Sequence, residues 1–317
     1  MPHILKSYLK FYFLRSIEIN SSLPKSEKAL AKAYNNLAMV YEDISLMDIA
    51  VNCYLTSFKY KKIVNDTGAI GNTLMNIGVF YLRQSEMEKG REYFQKAIDF
   101  GTTMKDSVIL AKSYNNMALY YKNRGEYEKA LKYNFLALRI KELTKKTKSA
   151  ISSYENIGNI YFAIKDFPKA NEYYRKGLQL ALSIKSEEDI ASVYNKIGLV
   201  FYETDKLDSA EWYFNHALVG FENTNDERSL ALLYNNLGNV YKDRGDNNKA
   251  KIFIERSLEI DRKHNNRSGM TASLSNLGLV YAKLKDYKNA ERVLYESIAL
   301  GYKINYLQGV KEACNIL

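Results

Sequence analysis

The sequence predicts an all-α fold, a solenoid of helical hairpins, on three observations. An aliphatic residue or Met followed by a residue with almost no side chain recurs every 40 residues, at Leu37-Ala38, Ile77-Gly78, Met117-Ala118, Ile157-Gly158, Ile197-Gly198, Leu237-Gly238 and Leu277-Gly278. Other columns hold the same phase: an aromatic four residues later (Tyr41 through Tyr281) and a small residue thirteen later (Ala50 through Ala290). Only 3 prolines occur in 317 residues, and Pro2 and Pro24 precede the repeats, while 46% hydrophobic content suffices for a buried core. Such a period marks an array whose units bury their apolar faces only against their neighbours.

The elements follow in chain order. Residues 1–25 are expected to hold a lone second helix without its first partner, and they lack the apolar core and cleavage site of a signal peptide. Residues 26–305 are read as seven 40-residue units forming one solenoid. In the third unit Asp106 is placed to cap the first helix (helix A), as are Ser26, Asp66, Ser186, Asp226 and Asn266 in the same column. Leu110, Tyr114, Met117, Ala118 and Tyr121 then form one apolar stripe. A turn is expected at Arg124-Gly125-Glu126, and the second helix (helix B) turns Tyr127, Ala130, Tyr133, Ala137, Leu138 and Ile140 inward. Glu126, like Glu86, Asp166, Asp246 and Asp286, suits the positive end of that helix's dipole. Residues 306–317 begin an eighth helix A that stops at Leu317, inside the stripe, so a truncated array is expected.

These residues resemble the tetratricopeptide-repeat family. The fourth unit supplies Tyr154, Ile157-Gly158, Tyr161, Ala170, Tyr174 and Gly177, and the sixth Tyr234, Leu237-Gly238, Tyr241, Ala250 and Ser257. The resemblance implies a right-handed α-α superhelix of about seven helix-turn-helix units, and covers about residues 27–303. The unit exceeds the family's usual length of roughly 34 residues, and the surplus is expected in helix B and its exit loop. The long form is similar to kinesin light chains, LGN-type adaptors and bacterial signalling proteins such as Rap-type receptors.

Function is sought on helix A, whose inner face lines the concave surface in that family. One column holds Asn36, Asn76, Asn116, Asn156, Lys196, Asn236 and Asn276, and the column before it Asn35, Asn115, Asn195 and Asn235. Asn inside a helix costs roughly 0.5 kcal/mol against Ala, so a file of them asks for a compensating role. Side-chain amides both donate and accept, which suits gripping an extended peptide backbone. Two plainer readings stay open: the amides bond to neighbouring helices, or were copied as the repeat duplicated. Leu119, Phe162, Leu199 and Tyr202 would add apolar anchors and Lys122, Lys196 and Lys242, with Arg83, a basic flank, so the expected partner is a protein or peptide with apolar and acidic character. Phe162 could equally be covered by the superhelix itself.

Other readings are set aside. A carboxylate clamp would use Asn239 and Asn276, but Asn235, Glu312 and Ile316 stand where its cations belong. Arg244-Gly245-Asp246 occupies the hairpin turn and is turn chemistry. His3, His216 and His264 lie in different units, and no phosphate loop or nucleophile elbow occurs, so no catalytic residue, metal or cofactor is expected. Cys53 and Cys314 fall in apolar columns and read as buried hydrophobes. The net charge of +10 is scattered, so nucleic acid is not expected, although a steep salt dependence of binding would favour it or an acidic surface. Without an 18-residue apolar run, the chain reads as soluble and cytoplasmic. The expected function is a non-catalytic protein-interaction scaffold with a peptide or helix in its concave groove; the alternative is the ligand-sensing module of a larger bacterial signalling protein, a histidine kinase or transcriptional regulator.

Overall fold

The structure is a computed structural model that describes residues 2–44 and 46–317, with side chains from Tyr8 onward. It contains sixteen helices and no strand among the described residues: α1 (Pro2–Ser21), α2 (Glu27–Asp43), α3 (Met47–Ile63), α4 (Thr67–Arg83), α5 (Met87–Thr103), α6 (Ser107–Asn123), α7 (Tyr127–Leu143), α8 (Thr147–Ala163), α9 (Phe167–Ser183), α10 (Glu187–Glu203), α11 (Leu207–Asn223), α12 (Glu227–Asp243), α13 (Asn247–Lys263), α14 (Arg267–Lys283), α15 (Tyr287–Lys303) and α16 (Leu307–Ile316). Even-numbered helices are A helices and odd-numbered ones B helices. The chain divides into two compact units, Met1–Lys146 and Thr147–Leu317.

The connections from α3 onward are closed by backbone chemistry. The residue two past the helix end sits in the left-handed region at Asn65, Ser85, Lys105, Lys145, Lys165, Lys185, Asp205, Asn225, Asn265, Lys285 and Asn305, and at Gly125 and Gly245, and Lys25, four past the end of α1, does the same. At the end of α5, the Asp106 N–H donates to Gly101 O at 2.9 Å and the Lys105 N–H to Thr102 O at 3.2 Å, which satisfies two orphan carbonyls. Asp106 then caps α6, accepting from Val108 N and Ile109 N. One residue closes a helix and opens the next.

Capping separates Asp and Asn from Glu and Ser. Asp66, Asp106, Asp226, Asn266, Asp166, Asp246 and Asp286 accept backbone N–H groups, whereas Glu86 and Glu126 do not. The extra methylene of Glu places its carboxylate out of reach of the orphan donors. Ser26 and Ser186 also fail as caps, because their hydroxyls donate elsewhere, to Asn20 O and to Asp189. Helices α2 to α15 are uniformly 17 residues long with three residues between them, so the exit loop after helix B is no longer than the hairpin turn. That corrects the expected placement of the surplus.

Small residues on helix A admit a large side chain from helix B. A Cβ at Gly158 would lie 2.4 Å from the Tyr174 ring, and at Gly198 2.5 Å from Phe214. Tyr41 and Tyr281 of the expected aromatic column are buried, but in the middle hairpins the core column lies one residue before it: Phe80, Tyr120, Ile160 and Val200 are buried, while Tyr81, Tyr121, Tyr161 and Phe201 are half-buried. Those outer rings stack on helix B instead, Tyr121 on Tyr133 at 5.5 Å and Tyr161 on Tyr173 at 5.4 Å. Lys129 and Lys169 cover their other faces. Leu110 and Tyr114 are likewise half-buried, and Ile109 is the buried member of that turn. Cys53 is buried, but Cys314 is exposed, contrary to expectation.

Candidate functional site

Within the second unit each A helix touches the A helix of the next hairpin, α8 with α10, α10 with α12, α12 with α14 and α14 with α16; in the first unit α4 touches α6 in the same way. The Asn columns lie along this row, beside the buried aliphatic residue of each helix. The two units use them differently.

In the second unit the amides bond from hairpin to hairpin. Asn236 Nδ2 donates to Asn195 Oδ1 at 3.0 Å, and Asn276 Nδ2 to Asn235 Oδ1 at 2.9 Å. Lys196 Nζ takes the same position toward Glu155 Oε1 at 3.0 Å. These residues are half-buried and hold neighbouring hairpins in register, which is the plainer reading of the column. Asn156 is exposed and has no side-chain partner among the described residues. Phe162 packs edge-on against Phe167 and is half-buried, as is Leu199. The Tyr202 hydroxyl donates to Asp243 Oδ2 at 2.5 Å, and burial first, then Asp243, pushes that phenol's pKa up.

Lys242 is only 9% exposed, so it does not form the expected basic flank. Its Nζ donates to Asn239 Oδ1 at 2.8 Å, and burial pushes its pKa down. Arg83 donates to Glu42 Oε1 at 2.5 Å. Of the four expected cations, only Lys122 is exposed without a partner among the described residues. The other three are neutralised or buried.

In the first unit the column is open. Asn36 and Asn116 are half-buried and Asn76 is exposed, and their amides have no side-chain partner among the described residues. Met39 and Leu119 stand beside them, 52% and 40% exposed. Asn115 carries a buried Oδ1 without a hydrogen-bond partner. Asn35 accepts from Lys61 Nζ at 3.2 Å, and Lys61 also donates to Thr73 Oγ1 at 2.6 Å.

Residues outside the sequence reading therefore matter. Lys61 lies on helix B beside Lys59 and Lys62, where it reads as one of the lysines coating the outer face, yet it is buried. The hairpin-to-hairpin bonds had a detectable signal, since 155/196, 195/236, 235/276, 202/243 and 42/83 all pair at a spacing of 41. Arg244-Gly245-Asp246 is structural throughout: Arg244 pairs with Asp208 and Glu211, Gly245 has φ +86°, and Asp246 caps α13. His216 stacks on Trp212 and His264 faces Glu227, while the His3 side chain lies outside the described residues. No described helix is long and apolar enough to cross a membrane.

The tetratricopeptide-repeat sequence pattern matches residues 69–143, 109–183, 148–223, 189–263 and 229–303. Among solved structures, BtubC (BKLC) from P. vanneervenii is 22% identical with a TM-score of 0.61, over 69% of this chain and 92% of that one. A signal-transduction ATPase with a tetratricopeptide-repeat sensor from Pyrococcus horikoshii is 14% identical with a TM-score of 0.70, over 99% of this chain and 50% of that one. Aspartyl phosphate phosphatase F from Bacillus subtilis is 13% identical with a TM-score of 0.66, over 90% of this chain and 73% of that one. These likenesses are of fold. A search of curated proteins finds no match.

Proposed function

This chain belongs to the tetratricopeptide-repeat family, and from that premise we propose that it is a non-catalytic protein-interaction scaffold that holds an extended peptide or helix along the A-helix face of its first unit. The observation that supports this reading is the contrast between the two Asn files. Where the amides bond to each other their cost is already offset, as at Asn195–Asn236. Where they have no side-chain partner among the described residues, at Asn36, Asn76 and Asn116, a guest backbone that displaces water supplies both a donor and an acceptor. Met39 and Leu119 provide apolar contacts beside them, and Lys122 one positive charge.

The test is comparative capture. The intact chain and an Asn36→Ala, Asn76→Ala, Asn116→Ala variant are immobilised, and the segment retained by the first is synthesised and titrated against both. Each lost hydrogen bond contributes about 0.5–1.5 kcal/mol, so the variant should bind at least about tenfold more weakly at an unchanged melting temperature. Equal affinity removes the proposal. A second reading, the ligand-sensing part of a larger signalling protein, draws support from the likeness to the Pyrococcus sensor protein, of which this chain spans half the length. It is decided by whether the native polypeptide carries an output domain.

A further inference from the structure

The positive charge is unevenly divided. Residues 1–146 carry 23 Lys and Arg against 14 Asp and Glu, whereas residues 147–317 carry 23 against 22. Within that first unit a cavity of about 240 Å³ lies where α2, the end of α3 and the start of α4 meet. Lys28, Lys32, Asn35, Lys61 and Asp66 line it, with small apolar residues completing the wall. Lys61 is 8% exposed, and its ammonium uses two of its three protons, on Thr73 and Asn35. Among the described residues no carboxylate lies within ion-pair reach of Lys28, Lys32 or Lys61. The one acidic residue of the wall, Asp66, accepts from Ala69 N at 3.0 Å as the cap of α4.

A buried ammonium with no carboxylate in ion-pair reach is unfavourable. Burial pushes the Lys61 pKa below its ordinary value, with Asp66 pulling it partly back. An anion inside the cavity relieves that cost. The volume allows it, since a water takes about 30 Å³ of liquid. Asn35, one wall of the cavity, adjoins Asn36 in the open amide file.

We propose that this cavity is a subsite for an anionic side chain, a carboxylate or a phosphate monoester, of the segment held along the A-helix face. The identity of the carrier rests on the groove reading above, but the subsite is tested with free anions. The isotope-labelled full chain is titrated with N-acetyl-glutamate amide, N-acetyl-phosphoserine amide and, as the neutral control, N-acetyl-glutamine amide. Backbone NMR signals of Asn35, Lys61 and Ala69 should shift saturably with the two anions and not with the glutamine probe. The tighter of the two anions identifies the source of the charge. Lys32→Gln, at an exposed side chain, should weaken that binding about fivefold, the equivalent of roughly 1 kcal/mol for one close charge, and Lys61→Met should weaken it further. Responses equal to the neutral control, or undiminished by Lys32→Gln, overturn the subsite. Because these probes need no groove, that result leaves the groove reading standing, whereas equal segment binding in the triple-amide variant removes the groove and leaves the anion site measurable.

Discussion

At the scale of single residues the fold depends on positions that look unremarkable in sequence. A lysine at the left-handed position after a helix carries a cost of roughly 1–2 kcal/mol that Gly avoids. Gly125 and Gly245 fill this position with φ +74° and +86°, and Lys165 fills the equivalent position with φ 60°. Lys165→Gly should therefore stabilise the chain by about 1 kcal/mol in chemical denaturation, after the greater flexibility of the unfolded glycine is subtracted. Lys141 is buried, and burial pushes its pKa down to about 8. The unfolded chain then binds more protons than the folded one between about pH 8 and the ordinary lysine value, so stability should rise with pH across that window. Relative to Lys141→Met, the native chain should gain about 2 kcal/mol between pH 7 and pH 10. A pH-independent difference between the two would show that Lys141 remains charged in the fold.

At the scale of the element, the hairpin is a close approach of two helices at a residue without a side chain. The Gly238 Cβ would sit 2.5 Å from Ile254 Cγ1, so Gly238→Leu should cost about 3 kcal/mol or more through overpacking, read as a lowered melting temperature. The amide columns make a second prediction at this scale. Asn236→Ala breaks a bond to Asn195 and should lower stability by about 1 kcal/mol, whereas Asn76→Ala, at an exposed unpaired amide, should leave it unchanged or raise it slightly. The hairpins were legible from sequence because one small residue and one aliphatic residue per turn suffice to set their phase. In the middle hairpins the core register was read one residue late: Tyr121 matches the apolar period as well as Tyr120 does, and only the lysine over its ring reveals that it faces outward. Asp and Glu at the start of helix B were grouped by charge alone, although only the shorter side chain also accepts from the backbone N–H groups.

At the scale of the whole chain the Asn file was visible and its division was not. Asn76 and Asn236 occupy equivalent positions and each has an Asn 41 places earlier; Asn195 accepts from Asn236, whereas Asn35 accepts from Lys61 Nζ. Lys242 was placed on an open face because its column holds charged and aromatic residues, but Asn239 and the packing of α12 draw it inside. The lysine cavity escaped notice because its members come from three helices and share no period.

Side-chain amide NMR of the chain with its captured segment tests the central claim most directly. The account predicts that the Nδ2 signals of Asn36, Asn76 and Asn116 move on binding, while those of Asn236 and Asn276, already committed to their neighbours, stay in place. Binding that leaves the first three unmoved, or moves only the paired ones, contradicts it.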